Sequence, residues 1–171
     1  MRLPLRVGAL ILPFLVARQA TAQLPIFAAG FAGAGFDVGT TSPNSGGGFS
    51  YQAEIGLRFR RLTIGGEFGQ HDIGGDRKAR LIGAFVRLGA TTTGQVRPYL
   101  VLGFGDYRYS PSAAGKTRAL GGNAGLGVLF PIGGNRAGVL LEARYHSAFD
   151  GVGSISSREF ASVVAGLQLG F

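Results

Sequence analysis

Charged side chains recur at alternate positions within apolar segments of this 171-residue chain. Alternate residues of a β-strand point to the same face, so the charges lie on one face and the apolar residues on the other. Six such charges, three of each sign, fall in predicted strands: Glu54, Arg58, Glu67, Arg87, Glu142 and Arg144. A buried charge is costly unless it is paired and hydrogen-bonded. We therefore expect one network of ion pairs, with a charged, water-lined path for protons or small ions as the alternative.

The two histidines are the remaining candidates for acid–base chemistry. His146 directly precedes Ser147, and His71 directly precedes Asp72 at the end of a predicted strand. Neighbouring residues of a strand point to opposite faces, so His146 and Ser147 are not expected to form a hydrogen-bonded base and nucleophile. The chain has no Cys, and no spacing of His and acidic residues suggests a metal site. We expect no catalytic residue, no metal and no cofactor.

Two glycine-containing segments are similar to phosphate-binding loops but lack their context. Residues 115–117 read GKT, yet Ser110 stands where the first Gly is required and no helical pattern follows. Residues 33–35 read GAG without the third Gly of a dinucleotide-binding turn. The basic residues are divided between the two ends of the predicted strands instead of forming one stripe. Binding of nucleotides and nucleic acids is therefore not expected.

Alternation of apolar and polar residues predicts an antiparallel sheet. It is unbroken from Phe49 to Phe59, and shorter runs repeat it along the chain. Eight segments have strand length: 26–38, 49–59, 62–71, 80–89, 97–109, 122–130, 138–149 and 158–171. In the fifth segment either Tyr99 and Val101 or Leu100 and Leu102 could face outward. The first segment is also ambiguous, so the register of these two strands stays open.

The connectors between these segments are of two kinds. Long ones of eight to twelve residues, at 39–48, 72–79, 110–121 and 150–157, alternate with shorter ones at 60–61, 90–96 and 131–137. Long loops at one end, short turns at the other and an apolar outer face are typical of transmembrane β-barrels. The 31 Gly residues also favour the tight curvature of a narrow barrel. The sequence therefore predicts an all-β, eight-stranded antiparallel up-and-down transmembrane β-barrel with a lumen filled by the charge network.

The amino-terminal residues predict export. Arg2 and Arg6 precede an apolar stretch at 7–16, and small residues lead up to Ala22. This order is typical of a secretory signal peptide, and the apolar stretch is too short to span a bilayer. We expect residues 1–22 to be a signal peptide cleaved after Ala22, and residues 23–171 to be one barrel domain. Loss of the three arginines of the leader lowers the net charge from +8 to about +5.

The carboxyl-terminal segment completes the pattern. Alternation puts Leu167, Leu169 and Phe171 on the outward face, and we interpret these three residues as a signal for barrel assembly. The signal peptide, the eight alternating segments, residues 97–105 (RPYLVLGFG) and residues 167–171 (LQLGF) together resemble the small outer-membrane barrels of the OmpA-like and OmpX-like type. The resemblance covers nearly all of 24–171. It implies a location in the bacterial outer membrane and a structural or surface-interaction role without catalysis.

The expected partners follow from that location. They are outer-membrane lipid and lipopolysaccharide, together with the barrel assembly machinery, and the barrel itself is expected to be a monomer. Five basic residues near the long loops are candidate contacts for anionic lipid: Arg77, Lys78, Arg80, Lys116 and Arg118. Five aromatic residues near the same rim are expected to form an interfacial girdle: Phe49, Tyr107, Tyr109, Tyr145 and Phe149.

Three alternatives stay open at this stage. Lipid A deacylases are also eight-stranded outer-membrane barrels, but their His and Ser stand two residues apart, whereas His146 and Ser147 are adjacent. A narrow channel for small solutes would use the charged inner face. A soluble lipocalin-like barrel would reverse the two faces and place the apolar residues inside.

Overall fold

A computed structural model of the protein describes residues 25–38, 47–74, 77–90, 96–110, 117–132, 136–149 and 159–170. The predicted signal peptide (residues 1–22), Lys116 and Phe171 lie outside the described residues, so the predictions made for them stay predictions. In the described part of the chain no helix is long and apolar enough to cross a membrane.

Eight β-strands make up the described structure, as the sequence predicts. They are β1 (Ile26–Asp37), β2 (Gly47–Phe59), β3 (Leu62–Asp72), β4 (Lys78–Gly89), β5 (Arg97–Ser110), β6 (Thr117–Ile132), β7 (Ala137–Ala148) and β8 (Glu159–Gly170). Most bounds lie within two residues of the predicted ones. The exception is β6, which begins five residues earlier than predicted. Its first residues, 117–121, show no clear alternation of apolar and polar side chains, so the sequence pattern does not mark them as a strand.

The strands close into an antiparallel up-and-down barrel. Each strand pairs with the next in the chain, and β1 closes the ring by pairing with β8, for example through Gly30 opposite Leu167. The predicted fold class is confirmed. Because every strand has two neighbours, the barrel leaves no unpaired edge among the described strands.

The two ends of the barrel differ in their connectors. At the end that we call the loop end, the connectors are 38–46, 73–77, 111–116 and 149–158. At the opposite end, the turn end, they are 60–61, 90–96 and 133–136. The long connector predicted at 72–79 is shorter than expected, because β3 and β4 extend their pairing to Asp72 opposite Lys78.

The outer surface of the barrel is apolar. Ile55 is 63% exposed and Leu167 is 65% exposed, while Glu54 and Gln168, which alternate with them on the same two strands, are buried. The register of β5 is now settled: Leu100, Leu102 and Phe104 face outward. This distribution is the reverse of a lipocalin-like barrel and matches a barrel whose outside contacts lipid.

One prediction about the aromatic girdle is wrong. Phe49, Tyr145 and Phe149 are exposed on the outer face, as expected, but Tyr107 and Tyr109 are buried in the lumen. The reason is the register of β5, whose odd-numbered residues face inward. There the Tyr107 hydroxyl has buried polar partners, which a lipid-facing position would not provide.

Side chains fill the interior in three zones. An apolar cluster toward the turn end includes Phe27, Phe31, Phe85, Val101 and Leu140. A second cluster toward the loop end includes Leu81, Tyr107, Tyr109 and Phe160. The third zone lies between the two clusters and is called the charged zone below. It contains the buried charged residues Glu54, Glu67, Arg87, Glu142 and Arg144.

Glycine lets the barrel wall curve tightly. Gly56 on β2 lies opposite Gly65 on β3, and a Cβ atom on Gly56 would overlap the carbonyl oxygen of Ile64. A Cβ on Gly65 would likewise overlap the carbonyl oxygen of Ile55. Both residues point inward beside the charged zone, so the absence of side chains here lets long charged side chains enter from the facing wall.

Candidate functional site in the barrel lumen

Arg144 on β7 is the centre of the charged zone. Its Nε donates to Glu142 Oε1 at 2.5 Å, its Nη2 donates to Glu54 Oε1 at 2.5 Å, and its Nη1 donates to Glu67. The residue is 2% exposed. Glu54 and Glu67 lie directly opposite each other on β2 and β3, a pairing of like charges that is unfavourable on its own. The guanidinium from the facing wall binds both carboxylates and removes that repulsion.

Arg87 on β4 provides the second positive charge. Its Nη2 donates to Glu54 Oε2 at 2.7 Å and to Glu142 Oε2 at 3.3 Å. Its guanidinium lies over the ring of Tyr99, 4.5 Å from the ring centroid, and over that of Phe85 at 5.3 Å. Arg87 therefore connects the charged zone to the apolar cluster at the turn end.

Neutral polar side chains complete the network, and sequence reasoning missed all of them. Gln52 Nε2 donates to Glu54 Oε1 at 3.0 Å, Asn123 Nδ2 donates to Glu67 Oε1 at 2.9 Å, and the Tyr99 hydroxyl donates to Glu142 Oε2 at 2.9 Å. Gln52 could have been predicted, because it shares the polar face of β2 with Glu54. Asn123 on β6 and Tyr99 on β5 could not, because the sequence pattern did not show which face of these two strands points inward.

Arg58 is the one member of the predicted set that the structure keeps apart from the carboxylates. Four residues separate it from Glu54 along β2, or roughly 13 Å at the rise of an extended strand. Arg58 is half-buried at the turn end, and its Nη2 has no hydrogen-bond partner among the described residues. The network itself thus contains three carboxylates and two guanidiniums.

A second polar layer lies between the network and the loop end. His146 Nε2 and Ser162 Oγ are 3.1 Å apart, His146 Nδ1 lies 3.1 Å from the Tyr107 hydroxyl, and Ser50 Oγ contacts His71 Nδ1. Asn123 Nδ2 also donates to the Tyr107 hydroxyl at 3.3 Å. A continuous chain of hydrogen bonds therefore runs from Glu67 through Asn123, Tyr107 and His146 to Ser162.

The serine beside His146 is Ser162 and not Ser147, the neighbour in the sequence. His146 is fully buried, whereas Ser147 lies on the opposite, outer face of β7, as predicted. Ser162 on β8 takes the place beside the imidazole because β7 and β8 are paired with Arg144 opposite Ser162. A Ser and His at hydrogen-bond distance can act as nucleophile and base. Here the Phe160 ring stacks on the imidazole at 4.3 Å, and both polar side chains are sealed inside the barrel.

The predicted basic contacts separate into two groups. Arg77 is paired with Asp37, and Lys78 Nζ lies 3.9 Å from Asp72. Arg80 and Arg118 instead point outward near the loop end. The register brings them into one row with Arg108, which the sequence did not single out: Arg80 lies opposite Arg108, and Arg108 lies opposite Arg118.

The proposed assembly residues of β8 that the structure describes face outward. Leu167 and Leu169 are both more than half exposed, while Gln168 between them is buried in the lumen. In the described ranges no group of three or more His, Cys, Asp or Glu side chains is arranged to hold a metal ion.

Comparison with known proteins rests on structure alone. No protein-family model and no curated protein matches the chain. Among solved structures, Neisserial surface protein A is 19% identical, with a TM-score of 0.74 over 85% of this chain and 97% of that chain. The N-terminal β-barrel domain of Pseudomonas aeruginosa OprF is 12% identical, with a TM-score of 0.63 over 86% and 98%. The chain has the fold of the small outer-membrane barrels.

An enzyme is also among the structures with this fold. The outer-membrane enzyme PagL is 13% identical, with a TM-score of 0.52 over 84% of this chain and 98% of that chain. At such identities the likeness describes the fold and not the activity. The fold and the apolar outer surface together confirm the outer-membrane location that the sequence predicts.

Removing one carboxylate should show how strongly the network stabilises the barrel. Glu142→Ala takes a partner from Arg144, Arg87 and Tyr99 at once, and loss of one partner of a buried ion pair costs about 3–5 kcal/mol. The neighbouring change Leu141→Ala removes a lipid-facing side chain that is 47% exposed and serves as the control. Unfolding in urea should show a much lower midpoint for Glu142→Ala than for Leu141→Ala; equal midpoints would show that the network is solvated and adds little.

Proposed function

We propose that this protein is a non-catalytic outer-membrane barrel that stabilises the envelope and presents its loops at the cell surface. The observation that carries the proposal is the position of Arg144, which binds three carboxylates from the surrounding wall at the centre of the lumen. Because these ion pairs connect facing walls of the barrel, the barrel is suited to act as a rigid scaffold with a closed lumen.

Closure of the lumen follows from how the interior is filled. An eight-stranded barrel is just wide enough for its own side chains. Here the network occupies the middle, with aromatic rings on both sides: Phe85 and Tyr99 toward the turn end, and Tyr107 and Phe160 toward the loop end. A hydrated ion would have to displace buried, mutually bonded side chains at each level. This argues against a narrow channel.

The position of the Ser and His pairs argues against an enzyme. A lipid-modifying enzyme must bring its nucleophile to an acyl chain, and acyl chains contact the outer face of the barrel. His146, Ser162, His71 and Ser50 all point into the lumen and are at most 1% exposed. Their hydrogen bonds are best explained as satisfying buried polar groups beneath the loop end.

Anionic lipid is the partner that the outer surface fits best. Arg80, Arg108 and Arg118 stand side by side on three neighbouring strands near the loop end, directly above apolar residues of the outer face. Asp106 accepts from Arg118 Nε at 2.6 Å and from Arg108 Nε at 3.2 Å, so the row keeps two net positive charges. This arrangement is suited to a lipopolysaccharide phosphate whose acyl chains lie on the apolar surface below.

The closed lumen has a direct electrical test. The wild-type barrel in a planar lipid bilayer should give no stepwise conductance, because the network leaves no continuous water path. Arg144→Ala should leak ions once folded, whereas Arg136→Ala, which removes an exposed charge at the turn end, should stay silent. Stepwise current through the wild type would contradict the proposal and favour the channel.

The absence of catalysis is tested with lipid A as substrate. Purified wild-type protein should leave its acyl chains intact, and His146→Ala and Ser162→Ala should change thermal stability without changing the lipid. Mass spectrometry of the lipid after incubation measures both outcomes. Acyl release that both substitutions abolish would instead identify the buried pair as catalytic and overturn the proposal.

The lipid contact is tested by charge removal in the arginine row. The double change Arg80→Gln with Arg118→Gln should weaken binding of lipopolysaccharide to the purified barrel at least about tenfold, since each basic residue near an anionic lipid surface contributes about 1 kcal/mol. Arg136→Gln, at the opposite end, is the charge-matched control. Equal affinities of the double variant and the control for lipopolysaccharide would show that the arginine row does not bind this lipid.

A further inference from the structure

A cluster of arginines surrounds the mouth of the lumen at the turn end. A cavity of about 80 Å³ there is lined by five arginines and by no acidic residue among the described ones. The five are Arg58, Arg60, Arg61, Arg87 and Arg97. The carboxylates Glu54 and Glu142 contact Arg87 but do not line the cavity. Like charges brought together at a half-buried site repel one another, so this mouth favours an anion.

Several guanidinium donors at this mouth have no acceptor. Arg87 is 5% exposed, and while its Nη2 contacts the network, its Nε and Nη1 have no hydrogen-bond partner in the part of the chain that the structure describes. The same holds for Nη2 of Arg58. A buried donor without an acceptor is unfavourable by about 1–3 kcal/mol, and more when it is charged. Arg58 on β2 and Arg87 on β4, the two strands that flank β3, thus both line this cavity and carry donors that no described residue accepts.

The polar groups around these arginines suit an oxyanion. Thr63 and Gln168 line the same cavity, and both are buried. Arg60 and Arg61 form the two-residue turn between β2 and β3, with Arg60 at a φ of 53°. Turns of this kind favour Asn and Gly, so the requirements of the turn alone do not explain two arginines here.

The size of the cavity limits what it can hold. About 10–15 Å³ of such space is enough to hold one water, so a cavity of about 80 Å³ has room for several waters. It also has room for one tetrahedral oxyanion. The planar fork of a guanidinium matches the oxygens of a phosphate in a bidentate manner, which makes arginine well suited to this group.

We propose that the turn-end mouth of the barrel binds a phosphate-class oxyanion between Arg58 and Arg87. The ligand is either a free phosphate or the headgroup phosphate of a phospholipid that reaches the mouth from the membrane. This site is separate from the outward-facing arginine row, which lies near the opposite end of the barrel. Its occupation would also satisfy the donors that the network leaves unused.

Calorimetric titration of the detergent-solubilised barrel with inorganic phosphate tests the site. The wild type should bind saturably at a ratio of one to one. Arg58→Gln should weaken the affinity at least about tenfold, as expected for loss of a charged hydrogen bond. Arg58→Lys, which keeps the charge but loses the fork, should lie in between. Arg136→Gln is the control, because Arg136 is exposed at the same end but does not line the cavity.

Each outcome of the titration has a definite meaning. Saturable binding that Arg58→Gln weakens and Arg136→Gln preserves supports the site. Absence of saturable binding to the wild type, or equal affinities for the two Gln variants, overturns it. A competition arm then identifies the source of the phosphate: displacement by short-chain phosphatidylglycerol indicates a lipid headgroup, and failure to displace indicates a free oxyanion. Unfolding in urea confirms that the variants compared are folded.

Discussion

The contact of one guanidinium with three carboxylates is the interaction on which the barrel interior depends. Glu54, Glu67 and Glu142 would repel one another inside a closed wall, and Arg144 reaches all three. Outside the barrel, lipid is as apolar as the side chains that it contacts, so the outer surface adds little cohesion between strands. The specific contacts that hold facing walls together are therefore mostly inside, and they are polar in the middle and aromatic on either side.

The faces of the strands could be predicted from the sequence because lipid and lumen impose opposite polarity on alternate residues. That argument was sufficient for β2, β3, β4, β7 and β8, where an outward apolar row alternates with residues that face the lumen. It was insufficient for β5, since Tyr99 and Val101 on one face are as apolar as Leu100 and Leu102 on the other. In the structure Tyr99 faces inward, where its hydroxyl donates to the buried acceptor Glu142.

The partners within the lumen could not be predicted, because they depend on the stagger between strands that are distant in the sequence. The pattern identified Arg58 and Arg144 as equivalent inward charges, yet Arg58 lies at the turn-end mouth because it is close to the turn at 60–61, while the stagger brings Arg144 among the carboxylates. The contact of His146 with Ser162 has the same origin. Neither residue indicates the other in the sequence, and the pairing of β7 with β8 brings them together.

The charged residues of β7 also restrict how the barrel can assemble. If β7 slipped by one residue against its neighbours, Glu142 and Arg144 would turn from the lumen to the hydrocarbon, and Leu141 and Tyr145 would enter the lumen. An arginine at the middle of the bilayer costs about 2–4 kcal/mol in a barrel of this kind. Misaligned strand arrangements are thus penalised twice, by an exposed charge and by the loss of the contacts around Arg144. The network therefore favours the correctly aligned ring over rings in which β7 has slipped.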